Sequence, residues 1–173
     1  MRLFFGLDID PALARELDTW RLAQGITGTP VPQANFHVTL AFLGEFSDAK
    51  TGHLEEATDA WVSDTQPPCG SLRLDEVGYW PKPGLFWLGP STWADALTGL
   101  AQGLGSLGVR FGAARERKPY RPHITLARQC QQAPPAPLVL PGWQVDYASF
   151  TLFESRQGRA SIRYHPRCSW ALA

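Results

Sequence analysis

The chain has 173 residues, of which 44% are hydrophobic and 18% charged, and this composition is typical of a globular protein. Its 16 basic residues balance 16 acidic ones, which argues against a general nucleic-acid coat but allows a local basic patch. No stretch approaches the roughly 20 apolar residues of a membrane span, and the three cysteines show no CxxC spacing. We therefore expect a cytoplasmic protein with reduced thiols, no membrane contact and no obligatory protein partner.

The first half of the chain predicts strand, helix, strand and helix in that order. Arg2 to Leu7 is apolar and β-rich, and Asp10-Pro11 has the N-cap and first-turn residues of a helix that ends near Gly25. The next predicted strand covers residues 36–43. Ser47 is predicted to cap a helix that continues to about residue 62.

The second half repeats part of this order. Strands are predicted at 71–79, 85–88 and 121–128, a helix capped by Ser91 is predicted to end near Leu107, and residues 147–153 and 161–170 are predicted to form a closing antiparallel pair. The same order of predicted elements, a strand, a helix and a second strand, thus occurs in residues 2–43 and again in residues 85–128. We interpret the chain as a single domain, residues 1–173, that contains an internal duplication and therefore two related lobes.

A short motif occurs once in each half. The segments "NFHVTLAFLG" (35–44) and "YRPHITLAR" (120–128) share histidine, a β-branched residue, threonine and leucine, and the two histidines are separated by half the chain length. Side chains alternate between the two faces of a strand, so each histidine is expected to share a face with its threonine. The pairs are His37 with Thr39 and His123 with Thr125, while the intervening residues and Phe42 are expected to face the core.

Two histidines and two hydroxyl groups around one point suit phosphoryl transfer. An imidazole titrates near pH ~6.5, so one histidine can accept a proton from water while the other protonates the departing oxygen. The residues alone leave open which histidine has which role. A single His-x-Thr on a strand is usually structural, and the repetition is what favours catalysis. Zinc, Walker and serine-hydrolase motifs are absent, so no metal or other cofactor is expected.

Basic residues cluster around the second motif. Arg121 shares the alternation of His123 and is a candidate phosphate ligand, whereas Arg128 has the opposite alternation unless the strand bulges before it. For Arg115 and Arg117 a solvated basic loop is the simpler interpretation. Trp80 and Tyr120 are candidate partners for a stacked base.

Both motifs resemble the signatures of the two-histidine phosphoesterases, and within that family the RNA 2′,3′-cyclic phosphodiesterases, also called 2′-5′ RNA ligases. The initial "RLFFGLDI" and the "FLG" after the first motif also agree. The resemblance implies an α+β bilobal fold in which two antiparallel sheets face a central cleft and the helices lie outside. It further implies that His37 is the proton donor, that His123 is the proton acceptor, and that Thr39 and Thr125 bind phosphate.

The resemblance makes a terminal 2′,3′-cyclic phosphate on RNA, or on a nucleotide, the expected substrate, and hydrolysis to a 2′-phosphomonoester the expected reaction. Three alternatives stay open from the sequence. Two are related activities, joining of 2′-5′ RNA ends and hydrolysis of small cyclic nucleotides. The third is a protein that binds RNA without catalysis.

Overall fold

A computed structural model describes the whole chain, residues 1–173, as three helices and ten strands. The first half contains β1 (Arg2–Asp8), α1 (Pro11–Leu22), β2 (Thr29–Pro30), β3 (His37–Glu45), α2 (Asp48–Thr65), β4 (Gly70–Leu74) and β5 (Glu76–Trp80). The second half contains β6 (Leu85–Gly89), α3 (Asp95–Arg110), β7 (Ile124–Arg128), β8 (Trp143–Tyr147), β9 (Ser149–Gln157) and β10 (Ile162–Ala171). None of the helices is long and apolar enough to cross a membrane.

The predicted caps of the first two helices are confirmed. The Asp10 carboxylate accepts hydrogen bonds from the backbone amides of Ala12 and Leu13, at 2.8 and 3.3 Å. The Ser47 hydroxyl accepts one from the Lys50 amide at 3.3 Å. These bonds satisfy amide groups that have no partner within the helix.

Three boundary predictions are wrong. Helix α3 begins at Asp95 after Ala94, not after Ser91, because the Ser91 hydroxyl and amide bind the Asp75 carboxylate instead. The strand predicted at 71–79 is two strands, β4 and β5, which belong to different sheets. The strand predicted at 147–153 is likewise divided, since Tyr147 ends β8 and β9 begins at Ser149.

The strands form two four-stranded antiparallel sheets and one two-stranded sheet. The first sheet has the order β10-β9-β1-β3, the second β2-β7-β6-β5, and β4 pairs with β8. The prediction of an α+β chain with antiparallel sheets is therefore confirmed. Each motif belongs to a different four-stranded sheet, and β3 and β7 contact each other.

The two motif strands pair in equivalent registers, β3 with β1 and β7 with β6. Thr39 lies opposite Gly6 of β1, and Thr125 lies opposite Trp87 of β6. One hydrophobic core, which includes Leu3 and Val38 from the first half and Leu88 and Ile124 from the second, runs through both sheets. We propose on these grounds that the chain is one domain made of two related lobes.

Each motif strand also has a β-bulge at its leucine. Phe5 pairs with Ala41 and Gly6 with Thr39, so Leu40 has no partner. Leu126 is likewise left out of the pairing between β6 and β7. An extra residue of this kind reverses the alternation of the residues that follow it.

The bulges decide the positions of Phe42 and Arg128. Beyond the bulge, Ala41 and Ala127 are buried, and the next residue of each strand returns to the face of its histidine. The prediction that Phe42 faces the core is therefore wrong, and its side chain is 55% exposed. Arg128 is exposed on the same face as His123. Simple alternation would have placed it on the opposite face, and the bulge at Leu126 reverses this.

Candidate active site

His37 stands at the start of β3 and is held by both ring nitrogens. Nδ1 lies 2.8 Å from the carbonyl oxygen of Asn35, and Nε2 lies 2.8 Å from Oγ1 of Thr39. A carbonyl can only accept, so Nδ1 carries the hydrogen. In neutral His37 the unprotonated Nε2 therefore accepts a hydrogen bond from the Thr39 hydroxyl.

His123 directly precedes β7 and is anchored in the same manner. Its Nδ1 donates a hydrogen bond to the carbonyl oxygen of Arg121, two residues earlier, at 2.8 Å. Its Nε2 has no partner in the protein, and Thr125 makes no bond with it. Both histidines are thus fixed in the tautomer that leaves Nε2 to accept a proton.

Aromatic side chains surround both imidazoles. The ring centroids of Phe4 and Tyr164 lie 4.8 and 5.0 Å from that of His37. Trp80 meets His123 edge-on at 4.8 Å, and Trp87 lies 6.3 Å from it. The prediction that Trp80 stacks on a base stays a prediction. Phe4 and Tyr164 were not identified from the sequence, since they lie on β1 and β10 and reach His37 only through the sheet.

Gly6 makes room for the contact between Phe4 and His37. A Cβ atom at this position would lie 3.4 Å from the Phe4 ring and 3.5 Å from the His37 ring, and 3.1 Å from the Val38 carbonyl oxygen. The last distance is short for a rigid backbone atom. A side chain here would therefore press on the strand that carries His37.

Burial lowers the pKa of both histidines. For His37 the loss of solvent reduces the pKa from 6.5 to about 4, partly offset by the Asn35 carbonyl, with further lowering by the charges of Arg128 and His123. For His123 burial is again the main cause, the Arg121 carbonyl opposes it, and the charges of Arg128 and Arg121 add to it. Both imidazoles are accordingly neutral at neutral pH in the free protein.

Arg128 is the basic residue that acts on both histidines, since its charge lowers the pKa of each. His37, Thr39, His123, Thr125 and Arg128 together are called the cleft below. Arg128 forms no salt bridge with an acidic side chain. A free guanidinium beside two neutral imidazoles is well suited to bind an anion.

Arg121 has a different environment. Its guanidinium forms a salt bridge with Glu76 at 3.0 Å and lies 4.7 Å above the Trp87 ring. Its Nε atom is buried without a hydrogen-bond partner. The backbone of Arg121 anchors His123, while its side chain is largely engaged by the protein.

Tyr120 joins the two motifs. Its hydroxyl donates a hydrogen bond to the Thr39 carbonyl oxygen at 3.0 Å, and burial raises the pKa of the hydroxyl well above its usual range. The proton therefore stays on the oxygen and the bond persists at all ordinary pH values. No group of three or more His, Cys, Asp or Glu side chains lies close enough together to hold a metal ion.

Comparison with known proteins identifies relatives along the whole chain. Residues 9–152 match the model of the 2′-5′ RNA ligase superfamily. The chain is 35% identical to the RNA 2′,3′-cyclic phosphodiesterase of Escherichia coli, over 99% of this chain and 96% of the relative. It is 32% identical to the protein of that name from Thermus thermophilus, over 90% and 82%. The crystal structure of Escherichia coli LigT complexed with 3′-AMP superposes with a TM-score of 0.87, 34% identity and coverage of 99% and 97%.

Proposed function

The chain belongs to the 2′-5′ RNA ligase superfamily, and we propose that it is an RNA 2′,3′-cyclic phosphodiesterase whose catalytic groups are His37 and His123. The relatives named above carry that activity in their names. The observation that supports the residue assignment best is the matched anchoring of the two imidazoles. Each Nδ1 donates to the carbonyl two residues earlier, which leaves each Nε2 unprotonated in the neutral ring and able to take up a proton.

The reaction is an in-line displacement at the cyclic phosphate. The unprotonated Nε2 of His123 accepts a proton from water, and the water oxygen forms a bond to phosphorus. The bond from phosphorus to the 3′ oxygen breaks, and protonated His37 donates its Nε2 proton to that oxygen. The product is a 2′-phosphomonoester, and each histidine contributes general acid or base catalysis of about 10²–10⁴-fold.

Thr39 couples the protonation of His37 to phosphate binding. When His37 is neutral, the Thr39 hydroxyl donates to Nε2. When His37 is protonated, Nε2–H becomes the donor, and the hydroxyl hydrogen is free to turn toward a phosphate oxygen. The protonated acid and the phosphate contact therefore form together.

The substrate supplies the charge that the acid needs. With a pKa of about 4, His37 is unprotonated in the free protein at neutral pH. An anionic cyclic phosphate next to the imidazole raises this pKa, because an opposite charge favours the protonated form. Arg128 and the Thr125 hydroxyl are the other phosphate ligands we propose, and Arg121 can join them only through the part of its guanidinium that does not pair with Glu76.

The decisive experiment incubates the protein with a short RNA that ends in a 2′,3′-cyclic phosphate, with and without EDTA in the buffer. The mass of the product shows hydrolysis, and a second assay determines whether the phosphate is on the 2′ or the 3′ oxygen. We expect a 2′-phosphate at an undiminished rate. Absence of turnover would contradict the phosphodiesterase, and loss of turnover with EDTA would contradict catalysis by the two histidines alone. Binding without turnover would favour an RNA-binding protein.

With free cysteines at 69, 130 and 168, we place the activity in the cytoplasm.

A further inference from the structure

Phe42 is an exposed aromatic residue on the face of the sheet that carries His37. It lies opposite Phe4, whose ring contacts the His37 ring at 4.8 Å. The bulge at Leu40 turns it to this face. A phenylalanine that is 55% exposed on the same face as His37 is more than a scattered surface residue, because it extends an aromatic row that starts at the imidazole and continues through Phe4.

Arg2 covers the same ring. Its guanidinium carbon lies 5.1 Å from the Phe42 centroid. Glu45 is opposite Arg2 in the sheet, but its carboxylate pairs with the N-terminal amine at 3.5 Å. Arg2 therefore has no acidic partner and presents an unneutralised charge. We call Arg2 and Phe42 the Arg2–Phe42 platform.

The distance from the histidine determines which part of a substrate meets the platform. Phe42 pairs with Phe4 and His37 pairs with Asp8. Four residues of β1 separate these pairs, or about 13 Å at roughly 3.3 Å per residue. A terminal nucleotide whose phosphate lies in the cleft is closer to Tyr164, which is partly exposed and whose ring centroid lies 5.0 Å from that of His37. The platform lies one nucleotide further along.

We propose that the Arg2–Phe42 platform binds the nucleotide that precedes the terminal ribose of an RNA chain. Phe42 stacks on its base, and Arg2 contacts the phosphodiester that joins it to the terminal nucleotide. An aromatic ring next to a basic side chain is how proteins hold single-stranded RNA without reading its sequence. The inference rests on the proposed function and adds a binding site for the nucleotide next to the terminal one.

The test compares a dinucleotide and a mononucleotide, both ending in a 2′,3′-cyclic phosphate. In Phe42→Leu the ratio of kcat/KM on the dinucleotide to that on the mononucleotide falls roughly 5- to 100-fold, the range of base–aromatic stacking. Phe42→Trp keeps the ratio. Leu138→Ala is the matched control, since Leu138 is a fully exposed apolar residue at 101%. An unchanged ratio in Phe42→Leu, or equal losses on both substrates, overturns the proposal.

Arg2 is tested by salt dependence. In Arg2→Gln the slope of log kcat/KM against log salt for the dinucleotide becomes shallower by about 0.7, the value for one contact to a single-stranded phosphate. Arg15→Gln, at an exposed arginine of α1, leaves the slope unchanged. Equal slopes in Arg2→Gln and the wild type overturn the contact.

A binding measurement separates this proposal from the activity itself. An RNA 2′-phosphate with 2-aminopurine at the penultimate position is quenched on binding to the wild type and much less on binding to Phe42→Leu. The same probe at the terminal position is quenched equally by both. Equal quenching of the penultimate probe overturns the stacking role, whether or not the protein turns over cyclic phosphates. A wild type that binds these RNAs but fails to hydrolyse either cyclic substrate contradicts the proposed function alone.

Discussion

The Nε2 atom of His37 lies 2.8 Å from the Oγ1 atom of Thr39. The matching threonine of the second motif, Thr125, makes no such bond with His123. The two copies of one motif thus differ in the contact that couples proton transfer to the hydroxyl. This asymmetry gives the two threonines different roles, which substitution can separate.

Thr39→Val is expected to lower kcat about 5-fold more than Thr125→Val. Both changes remove a phosphate contact, but only the first releases His37 from a hydrogen bond, whose net contribution is about 1 kcal/mol. Thr39→Ser keeps the hydroxyl and restores most of the rate. Steady-state kinetics on an RNA cyclic phosphate measure all three. Equal losses in the two valine variants would show that the bond to His37 has no part in turnover.

Replacing either histidine should remove the acid or the base. His37→Ala and His123→Ala are each expected to reduce kcat by about 10²–10⁴-fold while RNA affinity stays close to that of the wild type. Single-turnover rates and equilibrium binding of the 2′-phosphate product separate the two effects. His53→Ala, in an exposed position of α2, is the control. A near-normal rate in either active-site variant would contradict the two-histidine mechanism.

The pH profile of kcat/KM should be bell-shaped, with its maximum at acidic pH. The reactive form of the protein carries one proton on the two histidines together, because one must be protonated and the other unprotonated. Doubly protonated protein at low pH and fully deprotonated protein at high pH are both inactive. The rate therefore rises as pH increases through about 4, where His37 titrates, and falls above the lowered pKa of His123. The anionic substrate raises both values, so the profile of kcat lies at higher pH than that of kcat/KM. Coincident profiles would contradict this coupling.

Arg128→Gln should weaken substrate binding and move the pH profile. The guanidinium lowers the pKa of both histidines. Its removal raises both pKa values, and the falling limb of kcat/KM moves to higher pH. KM rises by roughly 10-fold through loss of a charge-assisted hydrogen bond. Arg115→Gln, in an exposed loop, should change neither quantity. A raised KM with an unmoved profile would place Arg128 farther from the imidazoles.

The buried imidazole of His37 should make the fold sensitive to acid. Its pKa is about 4 in the folded chain and 6.5 in an unfolded one. As pH falls below about 6.5, the unfolded chain takes up a proton that the folded chain does not, and the free energy of unfolding decreases. At about 1.4 kcal/mol per pKa unit, the loss reaches up to about 3 kcal/mol near pH 4.

Denaturant titrations at pH 7 and pH 4 measure this contribution, because His37→Gln has no titrating imidazole at that position. The decrease in free energy of unfolding between the two pH values should be smaller in His37→Gln by up to about 3 kcal/mol. Carboxylates such as Glu154 titrate in both proteins and cancel in the comparison. An equal decrease in both would show that His37 is not desolvated.

The repeated motif, and with it the histidines, was identifiable from the sequence because it is local. Residues two apart on a strand share a face, and repetition at half the chain length marks related strands. The helix caps at Asp10 and Ser47 were predictable for the same reason, since a cap is formed within three residues. The cap at Ser91 was mispredicted because a distant carboxylate, Asp75, takes its hydroxyl.

The tertiary structure alone decided what the rest of the cleft contains. The bulges at Leu40 and Leu126 depend on pairing with β1 and β6. One extra residue in each strand brought Arg128 to the face of the histidines and exposed Phe42, although simple alternation placed both side chains on the opposite face. Phe4, Tyr164 and Trp87 reach the imidazoles from other strands, and the lowered pKa values of both histidines come mainly from burial. The local sequence thus determined the reacting groups, whereas long-range strand pairing determined their environment, because a strand's register depends on its partner as well as on its own residues.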